Sequence, residues 1–129
     1  MKLIITEKPS QAAAICAALG VKEEKKHDGY IEGNDIIATW CMGHLVEMAP
    51  PESYSDQYRR WSYDTLPIIP KDWKYQIKQT TRKQFNTVKG LLLRQDTEPV
   101  CATDAGREGE LIFRLVYNES HCSKPYSRL

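Results

Sequence analysis

The chain has 129 residues, of which 41% are hydrophobic and 27% are charged, and its formal net charge is +1. These values are typical of one ordinary soluble globular domain. They exclude a chain that binds nucleic acid over its whole surface, because such a chain would be more basic; any such binding should be local or shared with other domains. No apolar stretch approaches the roughly 20 residues of a membrane-spanning helix, so no membrane partner is expected. Residues 123–129 show neither a helical pattern nor a polar tail, and we expect residues 1–129 to be one domain, the N-terminal fragment of a longer protein.

The chain carries four cysteines, none in a paired metal-binding spacing: Cys16, Cys41, Cys101 and Cys122. Cys41 with His44, or His121 with Cys122, resembles half of a zinc site, but no second pair completes either one. A disulfide framework is typical of smaller secreted chains. We therefore expect four reduced thiols in a cytoplasmic protein, and no zinc.

The N-terminal residues have the pattern of a strand, a turn and a helix. Residues 2–6 are largely apolar and β-branched, and Glu7 follows at the carboxyl end of this predicted strand. Pro9 suits the start of a helix, and Ser10 is able to cap it. A helix is predicted over residues 12–19. Its predicted buried face consists of Ile15, Ala18 and Leu19.

A predicted hairpin comes next. Residues 22–26 carry charges of both signs and are expected to be solvated surface. Predicted strands at residues 30–32 and 35–40 then flank Gly33 and Asn34, which form a two-residue turn signal.

A long loop without clear periodicity is predicted over residues 41–72, and a loop of this length is usually functional or disordered. Arg59 and Arg60 lie among its aromatic residues, which argue against disorder. The aromatic residues are Tyr54, Tyr58, Trp61 and Tyr63. Rings beside guanidinium groups suit stacking on nucleobases, so this loop is a candidate DNA-binding segment. The alternative is that the rings only seal the loop onto the core.

Another strand and helix follow the loop. A short strand is predicted over residues 73–77, and Thr81 and Gln84 have the spacing of a capping box. The buried stripe predicted for this helix consists of Phe85, Val88, Leu91 and Leu92. Because predicted strands alternate with helices along the chain, we expect an α/β fold with a parallel sheet and helices on both faces.

The acidic segment at residues 104–110 is the strongest chemical signal in the sequence. A predicted buried strand at residues 99–103 precedes it, and a helix with apolar residues at helical spacing follows it. Those apolar residues are Leu111, Ile112, Leu115 and Val116. In an open α/β sheet, ligands bind at the carboxyl ends of the strands. The carboxylates of Asp104, Glu108 and Glu110 and the guanidinium of Arg107 at such a place suggest a divalent metal beside a phosphate.

Glu7 would join this site if the first and last predicted strands are neighbours, about 4.8 Å apart. Crowded carboxylates repel one another, so one pKa should rise unless a cation intervenes. Asp104 and Glu108 are then candidate ligands of Mg²⁺, and Glu7 is a candidate proton donor. Lys8 and Arg107 are candidates for positioning a phosphodiester. The simpler alternative is that the acids of the helix only complement its dipole and that Arg107 forms a surface ion pair.

Three ordered motifs together resemble the Toprim domain of type IA DNA topoisomerases, most closely the bacterial topoisomerase III branch. They are Glu-Lys-Pro-Ser at residues 7–10, Gly-His-Leu at residues 43–45 and Ala-Thr-Asp-Ala-Gly-Arg-Glu-Gly-Glu at residues 102–110. The resemblance implies a Rossmann-like Toprim fold with about four parallel strands flanked by helices, a small hairpin and a long irregular loop. It also implies a bacterial, nucleoid-associated, Mg²⁺-dependent isomerase that breaks and rejoins single-stranded DNA through a phosphotyrosine.

The resemblance assigns roles to individual residues. Glu7 would be the general acid/base and a member of the metal site, and Lys8 would contact the scissile phosphate. Asp104 and Glu108 would be acids of the metal site. Trp61 would contact DNA. For His44 a structural role is expected.

Two departures from the family pattern matter. Gly106 stands where many Toprim domains have the second acid of Asp-x-Asp, which predicts weak metal binding. The family's nucleophilic tyrosine belongs to a later domain, so the fragment alone should be inactive. Two alternatives remain: the Toprim domain of a primase or of an overcoming-lysogenisation nuclease, and a non-catalytic module that binds metal and phosphate.

Overall fold

A computed structural model describes residues 1–21 and 26–129, and the charged residues 22–25 lie outside the described part. The described part contains three α-helices, eight β-strands and short 3-10 turns. The helices are α1 (Pro9–Ala18), α2 (Arg82–Leu93) and α3 (Arg107–Glu119). The strands are β1 (Lys2–Thr6), β2 (Lys26–His27), β3 (Tyr30–Gly33), β4 (Ile36–Trp40), β5 (Val46–Met48), β6 (Tyr75–Ile77), β7 (Glu98–Cys101) and β8 (Ser127–Arg128). None of these helices is both long and apolar enough to cross a membrane.

Six strands form one sheet in the order β2-β3-β4-β1-β7-β8. β4, β1, β7 and β8 run parallel, whereas β3 pairs antiparallel with β2 and β4. β1 is buried on both faces, because Leu3 and Ile5 belong to one core cluster and Ile4 to the other. Burial on both faces explains its nearly uninterrupted apolar sequence. The prediction of about four parallel strands is confirmed.

The helices cover both faces of this sheet, as the alternation of strands and helices predicts. On one face, Ala12 and Cys16 of α1 join the cluster that contains Ile4. On the other face, α2 and α3 contribute Phe85 and Phe113, which are almost fully buried. All four cysteines are buried and free, so they contribute to packing as thiols.

The hairpin turn lies one residue later than predicted. Gly33 pairs with Ile36, so the two turn residues are Asn34 and Asp35. Both have positive φ, 53° and 61°, as a two-residue turn between twisted strands requires. Asn34 also donates a 3.0 Å hydrogen bond from its side chain to the carbonyl of Gly20.

The start and the buried face of α1 differ from the prediction. The helix begins at Pro9 with Lys8 as its N-cap, so Ser10 lies inside the helix and does not cap it. Its fully buried residues are Ala12 and Cys16, which are one turn apart, whereas Leu19 is exposed. Ile15 is partly buried, and Ala18 and Leu19 line an open apolar groove with residues of β1, β4 and β7. The buried face is therefore displaced toward the start of the helix.

The capping box predicted for α2 is wrong, but its buried stripe is confirmed. Thr81 is the N-cap and makes no side-chain cap hydrogen bond. Gln84 points into the core and donates from Nε2 to the carbonyl oxygens of Gly29 (3.1 Å) and Trp40 (2.8 Å). All four predicted apolar residues of the stripe are buried: Phe85, Val88, Leu91 and Leu92.

The segment predicted as irregular contains a strand that the sequence did not reveal. β5 pairs antiparallel with β6 in a separate two-stranded sheet, where Val46 is opposite Ile77. Three residues are too few for a detectable alternating pattern. Short 3-10 turns occupy much of the chain between the two strands. The predicted strand at residues 73–77 is therefore real but shorter, and it lies outside the main sheet.

Candidate functional site

Three neighbouring parallel strands, β4, β1 and β7, end at the same edge of the sheet. An open cleft of about 600 Å³ lies at this edge. It is lined by Glu7, Asp104, Gly106, Arg107, Glu108, Gly109 and Leu111. The fold thus brings together four of the five residues proposed from the sequence for metal binding or catalysis. The fifth, Lys8, is exposed, and its Nζ lies 3.9 Å from Glu7 Oε1.

Asp104 reaches this cleft from a turn that we define as the β7–α3 turn, residues 102–106. β7 ends at Cys101, earlier than predicted, although the amide of Ala102 still donates to the carbonyl of Ile5 at 2.8 Å. The chain then reverses with a 2.8 Å hydrogen bond from the amide of Gly106 to the carbonyl of Asp104. The acids of the first turn of α3 therefore lie at the positive end of the helix dipole.

Gly109 allows α3 to approach this turn. A Cβ on Gly109 would lie 2.1 Å from the Asp104 carbonyl oxygen, so no side chain fits there. Thr103 Oγ1 donates to the Gly109 carbonyl at 2.8 Å and ties the helix to the turn. Gly106, by contrast, has extended backbone with φ −144°, and a Cβ there would meet nothing within 4 Å. Of these two glycines, only Gly109 is required by packing.

Arg128 stabilises the β7–α3 turn, and sequence reasoning missed it. Its Nη2 donates to the carbonyl oxygens of Thr103 (3.3 Å) and Asp104 (2.8 Å). Its Nη1 lies 2.7 Å from both Cys101 Sγ and Glu110 Oε2. Glu110 therefore belongs to an ion-pair network, which also includes Arg114, and is not in the lining of the cleft.

Gln11 joins the β7–α3 turn to the turn after β1, which we define as the β1–α1 turn, residues 7–8. Its Oε1 accepts hydrogen bonds from the amides of Glu7 (3.2 Å) and Lys8 (2.9 Å). Its Nε2 donates to Asp104 Oδ1 at 2.8 Å. Sequence reasoning gave Gln11 no role, since a glutamine in the first turn of a helix carries no signal for a contact 93 residues away.

His44 contributes from the loop after β4. Its Nε2 lies 2.5 Å from Oε1 of Glu108, whose side chain is 71% exposed. The preceding residue, Gly43, has φ of 75°, and its amide donates to the carbonyl of Glu7 at 3.4 Å. His44 was expected to be structural, but it contacts a candidate metal ligand directly.

Comparison with known proteins agrees with this architecture. The Toprim domain family matches residues 2–128. The chain belongs to this family. It is 47% identical over 129 residues to the protein named DNA topoisomerase 3 of Shouchella clausii, covering 99% of the chain and 17% of that relative. It is also 47% identical over 128 residues to DNA topoisomerase 3 of Staphylococcus haemolyticus, covering 98% of the chain and 18% of that relative.

Full-length topoisomerase I from Thermotoga maritima has the same fold, with a TM-score of 0.63 over 98% of this chain and 18% of that protein. The sequence identity in that comparison is 18%, so it supports the fold alone. This Toprim domain spans about 17% of the length of the first bacterial relatives that it matches. The resemblance drawn from the sequence motifs is confirmed, as is the α/β Toprim fold.

The carboxylates of the described residues do not form a complete metal site. Within residues 1–21 and 26–129, no three His, Cys, Asp or Glu side chains are placed to hold one ion. Each acid instead has a partner of its own: Lys8 for Glu7, Gln11 for Asp104 and His44 for Glu108. The donor set nevertheless fits Mg²⁺ chemically, because Mg²⁺ takes one or two carboxylates and completes its shell with water and phosphate oxygens.

The aromatic residues of the segment at residues 41–72 pack only partly against the rest of the domain. The Tyr54 hydroxyl accepts a 2.7 Å hydrogen bond from the amide of Lys74, so this ring does fasten the loop. Trp61 and Tyr63, however, are 74% and 98% exposed. Arg59 and Arg60 are also exposed. The sealing interpretation is therefore wrong for Trp61 and Tyr63, and their binding to DNA stays a prediction.

Proposed function

We propose that this Toprim domain is the catalytic, Mg²⁺-binding domain of a bacterial type IA DNA topoisomerase of the topoisomerase 3 kind. Such an enzyme breaks, passes and rejoins single DNA strands through a phosphotyrosine, and here the tyrosine would lie outside the chain. The observation that carries the proposal is the cleft at the carboxyl edge of β1 and β7, lined by Glu7, Asp104, Arg107 and Glu108. The names of the relatives support the type of enzyme.

The side chains of the cleft would have different roles in catalysis and binding. Glu7 would act as general acid and base, and its side chain is only 16% exposed. Lys8 lies beside it, and the ammonium group of Lys8 favours an anionic phosphate nearby. Arg107 lines the same cleft and would bind a second oxygen of the phosphodiester. Asp104 and Glu108 would hold Mg²⁺, which neutralises phosphate charge when it is bound.

Single-stranded DNA and the remaining domains of the same polypeptide are the proposed partners. Trp61 and Tyr63 offer exposed rings to unstacked bases, and Arg59 and Arg60 offer charge to the backbone. We propose a cytoplasmic, nucleoid-associated location. We also propose that the 129-residue chain alone neither cleaves nor relaxes DNA.

Glu7→Gln in the full-length polypeptide tests the catalytic assignment. The amide keeps the size of the side chain but loses its proton exchange, so relaxation of supercoiled DNA and religation should both be abolished. Glu119→Gln, at the far end of α3, is the matched control and should relax DNA normally. Relaxation by Glu7→Gln at the wild-type rate would refute the role given to Glu7.

Two titrations test the ligands. Mg²⁺ added to the chain should shift the amide NMR signals of Glu7 and residues 104–108, and an unchanged spectrum at millimolar Mg²⁺ would refute the metal site.

A single-stranded oligonucleotide should change the tryptophan fluorescence of the full-length polypeptide, and Trp61→Phe should remove that change. Trp73→Phe is the control, because Trp73 is also exposed.

A further inference from the structure

We infer that Gln11 is a positioning residue that couples the two turns of the cleft and orients the Asp104 carboxylate for the metal. The inference rests on the proposed function for the identity of the metal, but the coupling itself is a property of the metal-free domain. Gln11 belongs to neither the predicted catalytic set nor the predicted metal ligands.

The three hydrogen bonds of Gln11 fix its side-chain amide at both ends. Oε1 accepts from two successive amides, those of Glu7 and Lys8, at 3.2 and 2.9 Å. A glutamine at the third position of a helix often reaches back to the N-cap amide in this way. With Oε1 fixed, the planar amide directs Nε2 to Asp104 Oδ1 at 2.8 Å.

The bond to Asp104 crosses between two secondary-structure units. Gln11 belongs to α1, whereas Asp104 lies in the β7–α3 turn. The hydrogen bonds of the described residues engage only Oδ1 of the Asp104 carboxylate, which leaves Oδ2 for a ligand. Metal-binding carboxylates are commonly held by such outer hydrogen bonds, and loss of the outer partner typically weakens metal affinity about 10- to 100-fold.

The coupling is testable without metal. Asp104→Ala should shift the side-chain NH₂ signals of Gln11 and, through Oε1, the backbone amide signals of Glu7 and Lys8. Asp56→Ala, which removes another exposed acid, is the matched control and should leave the Gln11 signals in place. If the Gln11 signals do not respond to Asp104→Ala, the coupling does not exist and the inference is overturned.

The effect on the metal is measured by Mg²⁺ titration of the chain. Gln11→Met keeps the length of the side chain but removes all three hydrogen bonds, and it should weaken Mg²⁺ binding by about 10-fold or more. Gln79→Met, at an exposed glutamine before α2, should leave it unchanged, and thermal unfolding of each variant separates this effect from a loss of folded protein. Equal Mg²⁺ affinity of wild type and Gln11→Met overturns the inference. If wild type binds no Mg²⁺, the metal assignment of the proposed function fails and the metal-free experiment alone decides the coupling.

Discussion

The β1–α1 and β7–α3 turns leave neighbouring parallel strands at the same edge of the sheet, yet they are stabilised in different ways. The first is stabilised by a side chain of the helix that it enters, because Gln11 accepts from both of its amides. The second is stabilised through its own carbonyl groups, which Arg128 binds from beyond α3. The second turn also requires a glycine in α3, because the helix approaches the turn at Gly109 and leaves no room for a side chain there.

This difference shows how the domain keeps its acids available. In the β7–α3 turn, Arg128 binds carbonyl groups of the backbone, so these contacts do not use the Asp104 side chain. In the β1–α1 turn, the same glutamine that orders the backbone also engages Asp104. The β7–α3 turn should therefore be sensitive to packing at Gly109 and to loss of Arg128, and the β1–α1 turn to loss of Gln11.

Gly109→Ala should have the largest effect. The new Cβ would lie 2.1 Å from a backbone oxygen of Asp104, which is unable to rotate away, so α3 and the turn must move apart. We expect the free energy of unfolding to fall by about 2–3 kcal/mol, measured by urea denaturation. Gly106→Ala is the matched control, with open space at Cβ and an expected cost below about 1 kcal/mol. Equal losses for both variants would contradict the difference drawn between the two glycines.

Arg128→Ala should have the next largest effect on stability. It removes the donors to the Thr103 and Asp104 carbonyls and one partner of Glu110, at an expected cost of about 1.5–3 kcal/mol. Arg128→Lys should recover little, because an ammonium group lacks the planar fork that reaches several acceptors. Amide hydrogen exchange should become faster at residues 103–106 and stay unchanged at Glu7 and Lys8. Equal acceleration in both turns would show that they are stabilised as one unit.

Gly106→Asp should change metal binding more than stability. The extended backbone and the open space at Gly106 accommodate a side chain, and aspartate is a favourable N-cap residue for α3. The variant adds a carboxylate near Asp104, so Mg²⁺ affinity should rise several-fold in an NMR titration of the chain. Gly106→Asn adds a similar volume without the charge and is the control. An equal rise for both variants would assign the effect to the N-cap and not to a new ligand.

The fold was predictable where the pattern of apolar residues is long or where a strand is buried on both faces. β1 is uninterrupted and apolar, and the stripe of α2 has four buried residues at helical spacing. β5 was missed because it has three residues and pairs with a strand far along the chain, as in the hydrogen bond between Glu47 and Gln76, which are 29 residues apart. The capping-box prediction failed because Gln84 instead donates to the buried carbonyl oxygens of Gly29 and Trp40.

For the site, the sequence predicted only which residues follow the ends of the strands. Glu7 and Asp104 follow neighbouring parallel strands, and that rule needs no knowledge of side-chain contacts. Gln11, His44 and Arg128 were given no role in ligand binding, because their importance depends on partners 93, 64 and 24 residues away in the chain. Such pairings leave no periodic signal in one sequence.

Thiol labelling should show whether Gly109→Ala opens the β7–α3 turn alone. Burial raises the pKa of Cys41 to about 12, and neighbouring Cys101 and Glu7 add to the rise, so its reactive thiolate is scarce at pH 8 and increases only as the pH approaches that value. Cys101 Sγ contacts Arg128 and Thr103, so it reports on the β7–α3 turn. In Gly109→Ala, iodoacetamide at pH 8 should modify Cys101 faster than in wild type and leave Cys41 unmodified, as peptide mass spectrometry would show. Modification of both thiols at one rate would mean that the variant opens the shared core and not the β7–α3 turn alone.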